Sequence, residues 1–151
     1  MSQDKKSYDD PDIEAQWCNE QQAVVAAYLQ SQNVRHGRIG EWPAWHIAPV
    51  VSIWAIESTV RLNWIGWWVI SGDLPTDYIS SADVSDPQHP RTAIQMIAER
   101  WLKQADAWKE DRDFEGIQIN SLHTRKELST MLESRANLII EWAENDLYWT
   151  E

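Results

Sequence analysis

Four residues in the middle of the 151-residue chain have the types that acid–base chemistry needs: Glu41, His46, Asp73 and Asp77. A histidine oriented by a carboxylate can take and return a proton near neutral pH, and a second carboxylate can serve as its partner acid or base. The pairs flank two apolar runs of strand length, VVSIWAI from Val50 and WIGWWVI from Trp64. If those runs pair in antiparallel fashion across the link at 57–63, the start of the first lies beside the end of the second. His46 would then neighbour Asp73. The candidate catalytic set is His46 as base, Asp73 or Asp77 orienting it, and Glu41 as second acid or base. Trp42, Trp45 and Tyr78 would wall the cleft as a ligand or partner surface. The same residues also have purely structural uses. Asp73 and Asp77 suit turn caps around Pro75, Glu41 suits loop amides, and His46 suits a half-buried, hydrogen-bonded position. No nucleophile or metal-ligand spacing completes the set, which weighs toward the structural use.

The elements that must position these residues follow from periodicity. Asp10 caps a helix with Pro11 at its first position and Asp12 and Glu14 in its first turn, a favourable order for the N-terminal dipole. Ile13, Trp17, Val24 and Tyr28, flanked by Val25 and Leu29, form its apolar stripe to about Gln32. Cys18 lies beside that stripe and reads as a buried, inert thiol. A loop with Gly37 and Gly40 leads to the two runs, which are apolar on both faces and so need cover on both sides. Gly66 marks a bulge or a close backbone approach. Ile94, Ile97, Ala98, Trp101, Ala105 and Trp108 predict a second helix with Pro87 or Pro90 at its entry. Thr124 and Glu127 are spaced as a capping box for a third. Its main stripe is Leu128, Met131, Leu132, Ala136, Ile139, Ala143 and Leu147, with Leu138, Trp142 and Trp149 as a second. The expected fold is α+β: at least three amphipathic helices packed on a small antiparallel sheet centred on a Trp-rich hairpin over 47–71. Segments 34–39, 78–80 and 114–119 could each add a strand. Residues 10–151 read as a single globular domain, with 1–9 frayed.

Composition narrows the function classes. Net charge is −11, with acids gathered at both ends, and Arg35, His36 and Arg38 are the only hint of a basic face. That argues against nucleic-acid binding and, beyond solubility, suits a basic protein partner. A single cysteine excludes an intramolecular disulfide. The absence of an apolar run of about 18 residues and of an N-terminal apolar segment points to a cytoplasmic protein without a membrane span. Phosphate-cradling, dinucleotide, metalloprotease and hydrolase signatures are missing, so no cofactor is implied. Asp111, Asp113, Glu115 and Gly116 occupy positions 1, 3, 5 and 6 of a calcium loop, but Leu122 stands where the bidentate Glu belongs, and Gln118 fills an apolar position. An acidic link between helices is the better reading, and no metal is expected. Eleven tryptophans exceed what packing alone requires, and those at Trp42 and Trp45, beside Pro43 in a loop, are the candidates for exposure.

The runs IGEWPAWHIAPVVSIWAIES and GWWVISGDLPTDY, followed by PRTAIQMIAERW, resemble the bacterial domain-of-unknown-function family numbered 4826. The resemblance implies a short, single-domain bacterial protein and assigns no catalytic residue. Three functions are compatible with the residues. The first is a non-enzymatic binding or interaction protein that uses the 42–46 and 73–78 loops, for example one that blocks a basic toxin. The second is a small hydrolase-like enzyme built on His46. The third is an aromatic-platform ligand binder. The apolar second face of the last helix allows a homodimer.

Overall fold

A computed structural model describes residues 7–61, 63–84, 88–110 and 125–149. The calcium-loop residues, the 114–119 segment, Pro87, His123 and Thr124 fall outside the described residues. Three long helices and a small antiparallel sheet centred on the Trp-rich hairpin make the fold α+β. The chain divides into two compact units, Met1–Thr76 and Asp77–Glu151.

In the first unit, Asp10 accepts a hydrogen bond from the Asp12 amide, and Pro11 opens helix α1 (Pro11–Ser31). The cap satisfies one of the four free N–H groups of the first turn, and Pro11 has none to lose. The face that α1 buries is Trp17, Cys18, Val25 and Leu29. Val24, expected on the stripe, is exposed; the buried line runs one residue further round the helix. Burial also pushes the Cys18 thiol up from about 9.0 to about 11, with the Glu14 carboxylate adding to the effect. The folded chain therefore favours the protonated thiol. Stability from this source is intact below about pH 9 and is lost as pH climbs toward 11. Cys18→Ala should flatten that alkaline limb in urea titrations, and iodoacetamide should label the wild type at pH 8 only once it is unfolded.

Three strands follow: β1 (Trp45–Ile47), β2 (Val51–Glu57) and β3 (Ile65–Gly72), in the order β1-β2-β3 with β2 central. Val51, Ile53, Trp54 and Ile56 of β2 are fully buried, so both faces of that strand are covered, as its unbroken apolar run requires. Ser52 and Ser71 are opposed across β2 and β3, and their hydroxyls bond at 2.8 Å. The Trp54 indole N–H donates to Ser52 Oγ at 2.9 Å, which gives this buried ring its polar partner. The pairing Ile56 to Trp67 and then Glu57 to Ile65 leaves Gly66 as the extra residue of a bulge. A Cβ there would come within 2.8 Å of Ser58 Cα, so bulge and close approach both hold at this position. Segment 34–39 forms only an isolated bridge, Ile39 to Ile56, not a strand.

The second unit begins with β4 (Asp77–Ser80), the strand expected near Tyr78, and a single 3-10 turn over Ser81–Asp83. Helix α2 (Pro90–Lys109) has Pro90 at its first position and is capped by His89, whose Nδ1 accepts from the Arg91 amide at 3.0 Å. Ala93, Ile94, Ile97, Ala98, Trp101 and Ala105 form its buried face. Against it packs α3 (Arg125–Glu144), through Leu128, Leu132, Ala136, Ile139 and Ala143. Buried Ser129 ties the two helices by donating to the Ala105 carbonyl at 2.8 Å. Leu147, expected on the main stripe, lies beyond the end of α3 in a 3-10 turn over Asp146–Trp149 and is 81% exposed. The apolar period continues past Glu144, but the α-helix does not. Among the described residues no helix is long and apolar enough to cross a membrane.

Candidate functional site

Chain reversal through the 48–50 turn decides where His46 goes. β1 folds back on β2 with Trp45 opposite Ile53 and His46 opposite Ser52, while β3 pairs along the other edge of β2. His46 and the β3 end that leads to Asp73 are thus two strand spacings apart, about 10 Å. The antiparallel hairpin forms as expected, but β2 stands between the two residues. The carboxylate bonded to His46 is Glu14 of α1, whose Oε2 accepts from Nε2 at 3.0 Å.

Around this pair the aromatic rings are ordered. Trp17 of α1 stacks loosely on His46, with ring centroids 6.2 Å apart and planes 29° from parallel. Trp42 meets the imidazole edge-on, at 5.5 Å and 89°. Pro43, between the loop tryptophans, is buried and anchors the turn, whereas Trp42 is 48% exposed. Gln22 of α1 donates through Nε2 to the Gly40 carbonyl at 2.8 Å and holds the incoming loop against the helix. Glu14, Trp17, Cys18, Gln21 and Gln22 recur at intervals of three and four, so one helix face carries the whole support. Glu14 and Trp17 are functional candidates that sequence reasoning missed, because Glu14 was assigned to the helix dipole and Trp17 to the core. The signal was present. Glu14 lies one turn ahead of Cys18, so a charged residue occupies an extension of the buried stripe and needs a partner there.

Glu41 is exposed in the same loop as Trp42, and Trp45 is half-buried in β1. Asp73 is exposed, with its amide donating to the Val50 carbonyl at 2.9 Å. Asp77 is buried in the second unit, where it organises a different cluster. Its Oδ1 accepts from the Tyr78 amide at 2.8 Å, and its Oδ2 from Arg100 Nη2 at 2.6 Å and the Trp101 indole at 2.9 Å. Arg100 also donates to the Tyr78 carbonyl at 2.8 Å, and the Tyr78 residue is half-buried. These three bonds engage both carboxylate oxygens of Asp77 and give it the geometry of a structural clamp.

One turn along α2, Gln104 is buried, and among the described residues neither its amide atoms nor Arg100 Nε has a hydrogen-bond partner. Burying an unsatisfied amide costs about 1–3 kcal/mol. Gln104→Met keeps the length of the side chain and removes the polar atoms, and should raise stability by about 1 kcal/mol in thermal unfolding. A loss of that size would mean the amide has a partner in solution.

Among the described residues no group of three or more His, Cys, Asp or Glu side chains is placed to hold a metal ion. The first unit therefore presents an imidazole fixed by a carboxylate between two indoles, one of them exposed. This is a small α+β chain with an aromatic and ionisable surface on its Trp-rich loop. The model of a domain of unknown function, DUF4826, matches residues 12–149, and the chain belongs to that family. No curated protein and no solved structure matches it.

Proposed function

We propose that the chain is a non-enzymatic recognition module of the bacterial cytoplasm whose contact surface is the 42–46 loop seated on α1. The observation that carries this reading is the half-exposed Trp42 indole, held edge-on to an imidazole that Glu14 fixes from the other side. A large aromatic side chain whose position is set before binding is the kind of anchor that dominates interface energetics, because little freedom is left to lose. With Nε2 committed to Glu14, Nδ1 is the ring nitrogen left for a polar group of a partner. The net charge of −11 favours a basic protein as that partner, since complementary charge speeds encounter.

Affinity capture from the cognate cell extract tests this. Trp42→Ala and His46→Ala should weaken the captured partner by about 30-fold, the effect of losing a 2 kcal/mol anchor, while near-UV circular dichroism stays native. Equal capture by wild type and both variants would refute the assignment. The His46–Glu14 pair also supports a second reading, an acid–base site with His46 as base and Glu14 as the orienting group. Turnover of an ester or amide panel that is lost in both His46→Ala and Glu14→Gln would favour it.

A further inference from the structure

The first unit has a second feature, toward the end of β2 away from the position opposite His46. At the end of the β2–β3 hairpin an open cleft of about 290 Å³ is lined by Arg38, Gly40, Ala55, Glu57, Asn63 and Trp64, among others. Ile56 and Ile65 add apolar lining, and one side is Trp64, which is 50% exposed. The Arg61 guanidinium lies 3.5 Å from the Trp64 ring centroid and holds that ring in place. Asn63 adopts a left-handed backbone, φ 63°, which turns the chain so that Trp64 can stand at the cleft.

The charges of the cleft are arranged unusually. Arg38 and Glu57 are direct backbone neighbours, the Glu57 amide donating to the Arg38 carbonyl at 2.9 Å. Opposite charges so placed ordinarily pair. Among the described residues, however, neither side chain is in an ion pair. The Glu57 side chain lies against Gly37, where a Cβ would come within 3.2 Å of its Oε1. The cleft therefore offers a planar fork of donors and a pair of acceptor oxygens, neither in an ion pair among the described residues, beside an aromatic wall.

We propose that this cleft binds a small zwitterion of the α-amino acid class. The ligand carboxylate would take the Arg38 fork, its ammonium group would take Glu57, and its side chain would rest on Trp64. The volume is close to the lower bound of about 300 Å³ for small-molecule sites and suits a ligand of amino-acid size.

The test is titration of the ¹⁵N-labelled full chain with L-leucine, L-glutamine and L-arginine, following the Trp64 indole N–H signal assigned with Trp64→Phe. Leucinamide lacks the carboxylate and N-acetyl-leucine lacks the ammonium group, so both serve as probes of charge. At least one amino acid should give a saturable shift, weakened about 10-fold or more in its capped forms and in Arg38→Ala and Glu57→Gln. No saturable shift with any amino acid up to about 10 mM would overturn the proposal. So would a shift that persists in both variants.

Discussion

Asp77→Ala is expected to lower stability by about 3–4 kcal/mol in urea unfolding, one of the largest effects available to a single polar substitution in this chain. Truncation leaves the buried Trp101 indole N–H, the Tyr78 amide and the Arg100 guanidinium without their common acceptor. An arginine stripped of its carboxylate in a dry interior would cost more. About a third of the Arg100 side chain is exposed, though, and it can turn part of its charge to water. Asp77→Asn retains one oxygen and should recover part of the loss. A loss below about 1 kcal/mol in the alanine variant would show that the clamp is not formed in solution.

Gly72→Ala should be as damaging, for a reason confined to the backbone. Gly72 ends β3 with φ 139°, a conformation that residues with a Cβ rarely adopt, and an added Cβ would lie 2.3 Å from the Val50 carbonyl oxygen. Strain of about 1–3 kcal/mol and an overpacking cost of similar size put the expected loss at about 2–6 kcal/mol. The affected carbonyl is the one that receives the Asp73 amide at the end of the hairpin. Loss of that junction should appear as rapid hydrogen exchange at the Asp73 amide. A variant with wild-type thermal stability would contradict the geometry at Gly72.

The hairpin, its bulge at Gly66, the cap at Asp10, the helix entry at Pro90 and most of the helix stripes were legible because each is written in neighbouring residues. Periodicity of two or 3.6, a glycine inside a strand and a capping side chain are local signals. The partner of His46 was not legible. It lies 32 residues upstream on another element, and which carboxylate His46 meets depends on β1, a three-residue strand with a pattern too short to read. Once β1 adds to the edge of β2, the hairpin argument that put His46 beside Asp73 reaches the wrong edge of the sheet. Local sequence marks Asp77 as a turn cap or as an orienting group for His46, whereas its partners Arg100 and Trp101 sit more than twenty residues away on α2. Long-range pairings of this kind leave no periodic trace. Val24 and Leu147 show the converse limit, since apolar type alone places neither of them in the core.

The most direct test of the proposed recognition surface is photo-crosslinking in cells, with p-benzoylphenylalanine placed at Trp42 in one variant and at Val60 in another. Val60 is 94% exposed, so exposure alone would favour reaction there over position 42. A discrete crosslinked adduct from position 42, absent or much weaker from position 60, is the predicted result. An adduct from position 60 alone, or from neither position, would contradict the assignment of the 42–46 loop as the contact surface.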